Sequence, residues 1–309
     1  MKTSTYFILI LLIASGCSED NTIDEESITD DDVAQLISRT ITFYQDDILK
    51  TTTKQFFVDG KLSKSESSSG DYHLYTYGDS GRLEKIDYYA EGDELQTIIE
   101  YTYDAQGKMI TRLATPISDF ENTVPFERTY SYDEDHITGN LKFYDQNYNL
   151  VILDTITFNT NSVGLISKSE KLNDFQEPWG AEITYQNESP RLFEYYGWRT
   201  DFEGIVEYSY SEDINVGVYP IAKLMFGENW KNNMVLNDGS VLYHTTFGVL
   251  SNQYLTGYTY WNTEKTEIKE NVTIDYEFDT SGKLIRKIYY EENLFMGRTY
   301  KYDTTYDYN

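Results

Sequence analysis

The sequence predicts an all-β protein, a long antiparallel meander of repeated hairpins that forms a curled sheet or a closed barrel. Three observations predict this class. Aromatic residues alternate with polar ones at period two, Asp- and Gly-containing turns separate the alternating stretches, and the combination recurs along the chain. Aromatic side chains make up 16% of the 309 residues, so the chain has enough apolar area for a large core.

The alternation is clearest in two stretches. In residues 99–103, Ile99, Tyr101 and Tyr103 share one face, and polar residues share the other. In residues 274–278, one aliphatic and two aromatic residues alternate with acidic ones in the same way. One-sided alternation is typical of strands that bury one face and expose the other to water.

A turn follows each of these strands, and in both copies Asp is the first residue and Gly the fourth. An Asp side chain can accept a hydrogen bond from the backbone two residues on, and Gly adopts positive φ without steric cost. A basic and then an aliphatic residue follow, which completes a hairpin. The copies contain Gly60-Lys61-Leu62, Gly81-Arg82-Leu83, Gly107-Lys108-Met109 and Gly282-Lys283-Leu284.

A meander of this length favours closure, with a long curled sheet as the alternative. Residues 41–309 hold the repeat-built domain and have room for roughly sixteen to twenty strands, which is unusual for an open flat sheet. Closure into a barrel removes the exposed edges. The face opposite the aromatic residues carries Glu, Asp, Lys and Thr, which does not fit the apolar band of a transmembrane barrel.

The first residues predict a lipoprotein signal peptide. Residues 1–16 contain Lys2, an apolar run too short to span a membrane, and three small residues before Cys17. Cys17 is the only cysteine of the chain. Its surroundings resemble a lipobox, in which the cysteine receives acyl chains and becomes the first residue of the mature protein. We therefore expect lipid attachment at Cys17, with an ordinary signal peptide as the alternative.

Residues 17–40 are predicted to form an acidic tether and a short helix. The tether is polar, acidic and without an apolar period, which is typical of flexible segments. Further on, apolar residues recur at helical spacing and predict a helix from about Asp31 to Ser38.

Composition argues against several classes of partner. The chain carries 52 acidic and 25 basic residues, a formal net charge of −27, which repels nucleic acid. His73, His136 and His244 lie far apart in the sequence, and a lone cysteine cannot form a zinc site. We therefore expect no metal, no cofactor and no nucleic-acid partner.

The sequence contains no recognisable catalytic motif. A nucleophile elbow, a phosphate-binding loop and a cysteine nucleophile are all missing. Glu91 with Asp93 and Glu291 with Glu292 are paired carboxylates, but adjacent acidic residues arise by chance in so acidic a chain. We expect no catalytic residues and no enzymatic activity.

The tryptophans are the candidate ligand contacts, because each is next to Gly or Asn, or both, near a predicted loop. Such an indole can stack on a sugar ring or a partner, or it can cap the core with its N–H in water. The four candidates are Trp179, Trp198, Trp230 and Trp261.

The repeated Tyr-turn-Gly-basic-aliphatic pattern resembles the YD repeat of Rhs-type and teneurin-type shells. Together with the lipobox, it more closely resembles a family of Bacteroidetes surface lipoproteins of unknown function with a porin-like antiparallel barrel. Residues 226–232, an aromatic-Gly followed by Lys-Asn, resemble a pattern in the second half of that family. Residues 18–20 resemble the signal of its surface-exported members. The resemblance implies an outer-membrane location, with the protein lipid-anchored and facing the medium.

Two functions remain open. The first is a non-enzymatic binding module that takes a glycan, a peptide or a protein through loops and exposed aromatic residues. The second is a structural or assembly component of a cell-envelope complex, without a small-molecule ligand. An enzyme with an unrecognised carboxylate site is a third possibility, and two close, buried carboxylates in a cleft would favour it.

Overall fold

The computed structural model describes residues 36–117, 125–145, 149–172, 178–186, 189–197, 203–214, 225–226, 229–238 and 253–308. These residues form eighteen strands and a helix, α1 (Trp230–Asp238), which lies in the connection between β14 and β15. The first nine strands are β1 (Leu36–Gln45), β2 (Ile48–Val58), β3 (Lys61–Ser67), β4 (Tyr72–Tyr77), β5 (Leu83–Ala90), β6 (Glu94–Tyr103), β7 (Met109–Pro116), β8 (Phe126–Tyr132) and β9 (His136–Tyr144). The others are β10 (Leu150–Thr160), β11 (Ile166–Leu172), β12 (Pro178–Gln186), β13 (Ser189–Tyr196), β14 (Gly204–Ile214), β15 (Gln253–Trp261), β16 (Ile268–Phe278), β17 (Leu284–Asn293) and β18 (Arg298–Tyr308).

The sheet is a closed antiparallel barrel, which confirms the predicted fold class and decides between barrel and open sheet. Each strand pairs with its neighbours in sequence, and β18 returns to pair with β1. The closing register joins Arg39 to Tyr306 and Phe43 to Tyr302. Closure leaves no unpaired edge in a long series of aromatic strands. No helix among the described residues is long and apolar enough to cross a membrane.

The two faces of the barrel differ as the period-two pattern predicted. Inward-facing residues form one continuous core that includes Leu62, Leu83, Met109 and Phe193, all 0% exposed. The outward face carries ion pairs. One of them joins Arg286 to Asp303 through two hydrogen bonds of 2.8 and 2.7 Å. Charged residues therefore lie on the outer face, as the period-two pattern predicted.

One end of the barrel, which we call the turn end, carries the Asp-x-x-Gly turns. Gly107 and Gly282 have φ of +81° and +85°, which confirms their predicted role. In the first of these turns, the Asp104 carboxylate accepts hydrogen bonds from the amides of Gln106 and Lys108 at 2.9 and 2.8 Å. The other end, called the mouth, carries the connections β1–β2, β3–β4, β5–β6, β15–β16 and β17–β18.

Tyrosine hydroxyls connect successive hairpins near the turn end. In each case a tyrosine near the turn end of one hairpin donates its hydroxyl to a backbone carbonyl of the preceding hairpin. The bonds run from Tyr77 to Leu62 O (3.0 Å), Tyr103 to Leu83 O (2.7 Å), Tyr132 to Met109 O (2.7 Å), Tyr185 to Ile166 O (2.6 Å), Tyr276 to Leu255 O (3.0 Å) and Tyr308 to Leu284 O (2.8 Å). The acceptor is in each case an aliphatic residue near the start of its strand.

The amino-terminal prediction needs a correction. Leu36, Ile37 and Ser38, the last residues of the predicted helix, begin strand β1 instead. Ser38 is buried and pairs with Asp307 of β18 and Phe56 of β2. Pairing on both sides outweighs a weak helical periodicity. Residues 31–35 of the predicted helix, the tether and Cys17 lie outside the described residues.

Candidate functional site

Helix α1 closes the turn end of the lumen from within. Its buried residue Asn233 accepts a hydrogen bond from the Met109 amide and donates one to the Gly107 carbonyl, both at 2.9 Å. Asn232 is bound in the same way to the β10–β11 turn, accepting from the Ile166 amide at 3.2 Å and donating to the Gly164 carbonyl at 2.8 Å. Each asparagine side chain thus pairs with one backbone amide and one backbone carbonyl at a turn, where the strand ladder offers these groups no partner.

The carboxyl-terminal end of α1 points deeper into the lumen, where polar side chains hold it. Arg112 donates to the Asn237 side chain at 3.1 Å, and Arg128 donates to the Asn237 carbonyl at 3.2 Å. The Tyr130 hydroxyl donates to the Leu236 carbonyl at 2.6 Å. Cationic donors at a helix carboxyl terminus complement the negative end of its dipole. The helix therefore occupies the lumen from the turn end as far as these two arginines.

The lumen beyond α1, toward the mouth, is the candidate site, and we call it the chamber. Its walls are aromatic and polar, and several of its side chains are only half-buried, so water reaches them. Inward-facing residues of this half, assigned from register and burial, are Phe43, His73, Tyr88, Phe126, Asp154, Lys171, Trp179, Tyr195, Tyr260, Glu270, Glu291 and Tyr302. Concave, aromatic-lined space with a few polar groups is the usual character of a ligand site.

Trp179 lies on one wall of the chamber. It is the second residue of β12 and pairs with Lys171 of β11, two positions from the fully buried Ala181 on the same face. The Lys171 ammonium lies 5.4 Å from the centre of the Trp179 ring and also forms an ion pair with Asp154. The side chains of Lys171 and Asp154 are 24% and 22% exposed. An accessible indole next to a charged pair can stack on a ligand ring and hydrogen-bond its polar groups.

Another wall, formed by β15, β16 and β17, holds two carboxyl groups and two tyrosine hydroxyls in one chain of contacts. The Tyr258 hydroxyl donates to Glu270 at 2.6 Å and lies 2.9 Å from the Tyr289 hydroxyl, which lies 3.3 Å from Glu291. Asn293 donates its amide to the other Glu270 oxygen at 3.3 Å. Burial, together with the Glu270 charge, raises the pKa of Glu291 to about 8. Burial also raises the pKa of both tyrosines.

A histidine on β4 forms part of a third wall. His73 stacks on Tyr88 of β5, with ring centres 4.7 Å apart. Burial lowers the pKa of His73 to about 4. The imidazole is therefore neutral at pH 7 and belongs to the aromatic lining.

The other sequence-predicted tryptophans have separate places. Trp261 ends β15, and its indole nitrogen is buried without a hydrogen-bond partner among the described residues. Trp230 begins α1, and Trp198 lies outside the described residues. Of the two candidates whose side chains the structure describes, Trp179 and Trp261, the register places Trp179 on the chamber wall.

The carboxyl pair was missed by sequence reasoning, which considered Glu291 only with Glu292. Neighbouring residues of a strand point to opposite faces, so Glu291 faces inward opposite Val272, and the carboxyl group that interacts with it is Glu270, one inward position away on β16. Period-two alternation predicts that Glu291 faces inward with Tyr289, because the neighbouring residues Tyr289 and Tyr290 lie on opposite faces of the strand. Their exposed fractions of 8% and 39% agree with that prediction.

The described residues contain no group of three or more His, Cys, Asp or Glu side chains that could hold a metal ion. Two carboxyl groups, two hydroxyls and one amide form a hydrogen-bonding surface instead. In chemical terms, this wall can accept hydrogen bonds from hydroxyl or amine groups of a ligand.

No protein-family model and no curated protein matches this sequence. Similar solved structures include a porin-like protein from Bacteroides uniformis ATCC 8492, with 15% identity, a TM-score of 0.43, and coverage of 89% of this chain and 96% of that one. A porin-like protein from Bacteroides vulgatus ATCC 8482 has 12% identity, a TM-score of 0.39, and coverage of 89% and 99%. The Photorhabdus luminescens Tc holotoxin pore matches with 13% identity, a TM-score of 0.24, and coverage of 76% and 11%.

Proposed function

We propose that this protein is a surface lipoprotein of the outer membrane, anchored through Cys17, which binds a glycan, a peptide or a protein in the chamber without catalysing a reaction. The observation that carries the proposal is the asymmetry of the lumen. Helix α1 lies in the turn end, whereas the described inward-facing side chains near the mouth are aromatic and polar, and Trp179, Lys171 and Asp154 among them are partly exposed. A purely structural barrel has no need of accessible aromatic surface in its lumen, and a binding protein does.

The chamber suits a neutral or cationic ligand with both ring faces and hydroxyl or amine groups. Trp179, Tyr302 and Phe43 offer aromatic faces, and Phe43 and Tyr302 stack at 4.8 Å. Lys171 with Asp154 offers charged partners. Each aromatic contact would contribute about 0.5–1.5 kcal/mol beyond the area buried. A few such contacts correspond to dissociation constants from micromolar to millimolar after the cost of association.

The position of the amino terminus supports display toward the medium. Strand β1 begins at Leu36 at the turn end, opposite the mouth. With the lipid at Cys17, the chamber would open away from the membrane. The outward ion pairs fit a barrel that lies in water above the lipid and not within it.

A binding experiment tests the function. Glycan and peptide arrays probed with the wild-type protein identify a ligand, and calorimetry then compares Trp179→Ala with Tyr290→Ala. The second variant removes a ring of similar size from the outer face and is the matched control. We expect Trp179→Ala to weaken binding about tenfold and Tyr290→Ala to leave the affinity unchanged. Binding that survives Trp179→Ala, Tyr302→Ala and Phe43→Ala would place the site outside the chamber.

A labelling experiment tests the anchor. In a Gram-negative host, the wild-type protein should incorporate labelled palmitate and sediment with membranes, whereas Cys17→Ala should do neither. Two or three acyl chains hold a protein firmly, whereas one chain binds only marginally. An unlabelled wild-type protein found in the soluble fraction would contradict the anchor while leaving the binding function open.

Experiments on the same protein distinguish two other functions. If no array ligand binds, the assembly-component hypothesis is favoured, and crosslinking on intact cells should then capture one envelope protein. The pair Glu270 and Glu291 is the single observation that favours an enzyme, since two nearby carboxyl groups are the machinery of glycoside hydrolysis. Hydrolysis of chromogenic glycosides that is lost in Glu291→Gln would support that function.

A further inference from the structure

Four oxygen-bearing side chains form a continuous row across strands β15, β16 and β17. The order is Glu291, Tyr289, Tyr258, Glu270, and the three contacts measure 3.3, 2.9 and 2.6 Å. The two contacts that involve Tyr258 have the usual length of O–H···O hydrogen bonds, and the contact between Tyr289 and Glu291 is a longer, weaker one. Glu270 is 8%, Tyr258 2% and Tyr289 8% exposed, so water does not readily replace these bonds.

The row has more contacts than hydroxyl protons. Each tyrosine brings one hydroxyl proton, whereas three contacts need three protons. If both carboxyl groups were ionised, one pair of oxygens would face each other without a hydrogen between them. If Glu291 carries a proton, it donates to Tyr289, Tyr289 donates to Tyr258, and Tyr258 donates to the Glu270 carboxylate. Every contact is then a hydrogen bond.

We propose that Glu270 and Glu291 share a single proton through the hydroxyls of Tyr258 and Tyr289, which makes this wall of the chamber a pH-sensitive device. At neutral pH the pair carries one negative charge. In alkaline solution the proton leaves to the solvent, and a second buried negative charge appears next to the first. The row then loses one hydrogen bond and gains a repulsion, so the wall loosens. This proposal does not depend on the binding function, because it needs no ligand.

The surroundings of the pair agree with proton sharing. Tyr300 on β18 is the register partner of Glu291 and faces the pair. The other titratable groups that face it are Tyr258 and Tyr260 on β15, Tyr289 on β17 and Tyr302 on β18. Each of these is neutral at pH 7 and its pKa is raised, mainly by burial and in part by the two glutamates. Two like charges in such a place are costly, and a carboxyl dyad therefore keeps one proton.

The sign of the pH effect follows from the raised pKa. Between the ordinary glutamate pKa, about 4.3, and the folded value for Glu291 of about 8, the folded chain binds a proton that the unfolded chain does not. Folding stability from this group therefore falls as pH rises through that window. Above it, the loss is complete.

Infrared spectroscopy of the full chain with carbon-13-labelled glutamate tests the proposal directly. At neutral pH we expect the carbonyl band of one buried protonated carboxyl group, which disappears on alkaline titration. The band should be lost in Glu291→Gln and kept in Glu292→Gln, which removes the same charge from the exposed neighbouring position. A wild-type spectrum without this band at neutral pH would overturn the proposal without any need for a variant.

Thermal unfolding across neutral and alkaline pH gives a second readout. The wild-type melting temperature should fall with rising pH, and Glu292→Gln should follow it. Glu291→Gln should flatten the curve, because the glutamine amide supplies the missing donor permanently. If Glu291→Gln does not fold, Tyr289→Phe serves instead, since it interrupts the row and should shift the titration of the infrared band. Identical pH profiles for the wild type and a folded Glu291→Gln or Tyr289→Phe would refute proton sharing.

Discussion

The Tyr103 hydroxyl donates a hydrogen bond of 2.7 Å to the backbone carbonyl of Leu83, in the preceding hairpin. Arg82, the residue before this acceptor, lies 5.9 Å from the centre of the Tyr103 ring. Three other pairs repeat the cation contact: Lys61 on Tyr77, Lys108 on Tyr132 and Lys283 on Tyr308. The repeated sequence Gly-basic-aliphatic therefore makes two contacts with a tyrosine of the next hairpin. The basic residue lies over the tyrosine ring, and the backbone carbonyl of the aliphatic residue accepts the hydroxyl hydrogen bond.

Removing one of these hydroxyls should cost a measurable part of the stability. In Tyr103→Phe the ring and its cation contact remain, and the Leu83 carbonyl loses its donor. We expect a loss of about 1 kcal/mol in the free energy of unfolding, measured by urea denaturation. Tyr290→Phe, on the outer face, should change it by less than about 0.5 kcal/mol. Equal effects in the two variants would mean that the connection between hairpins contributes nothing.

Much of the fold was predictable because its signals are local. Alternation at Ile99, Tyr101 and Tyr103 indicated strand faces, and the Asp104 to Gly107 turn indicated a hairpin, from residues a few positions apart. The closing contact between Arg39 and Tyr306 has no such signal, because it joins the two ends of the domain. The sequence therefore predicted closure only from the cost of exposed sheet edges, and the pairing of β1 with β18 in the structure establishes it.

The candidate site was less predictable, because it depends on register across strands. Glu270 and Glu291 meet only because of the pairing of β16 with β17, which shifts by one residue between Glu277 and Phe278. Such a bulge changes which side chains become neighbours. The insertion of α1 into the lumen likewise rests on asparagine contacts with turns more than a hundred residues earlier in the chain.

A side chain at Gly107 should destabilise the protein. With φ at +81°, valine is strained there, and its Cβ would lie 2.5 Å from the Arg82 guanidinium. We expect Gly107→Val to lower the free energy of unfolding by about 1–2 kcal/mol. Asparagine tolerates this backbone region better, so Gly107→Asn should cost less. Equal costs in both variants, measured by urea denaturation, would point to crowding rather than to φ.

Asn233 should hold α1 in the lumen. It is fully buried, and in Asn233→Ala the Met109 amide and the Gly107 carbonyl lose their partner. An unsatisfied buried group costs about 1–3 kcal/mol, so we expect a loss of that size. Hydrogen exchange at the Met109 amide should accelerate by more than tenfold. Asn271→Ala, on the exposed face of β16, is the control, and unchanged Met109 exchange in Asn233→Ala would show that the helix is held by other contacts.

His73 should make the protein sensitive to mild acid. Burial lowers its pKa to about 4, below the ordinary value of about 6.5. Between these two values the unfolded chain binds a proton that the folded chain does not, so stability falls as pH drops through this window. A shift of this size corresponds to about 3 kcal/mol. Measured by urea denaturation at several pH values, His73→Gln should remove that part of the acid sensitivity.

His136 is the control for His73, because its pKa is shifted in the opposite direction. It is exposed and lies 2.9 Å from Asp135 and 3.0 Å from Asp133, and its hydrogen bond to Asp135 raises the pKa of His136. Its contribution is therefore present below the unfolded pKa and disappears as pH rises, so His136→Gln should weaken the protein slightly in acid. His73→Gln and His136→Gln should change the free energy of unfolding at acidic pH in opposite directions. A change in the same direction would mean that His73 binds a proton in the folded barrel, and therefore that it lines a hydrated wall and not a buried one.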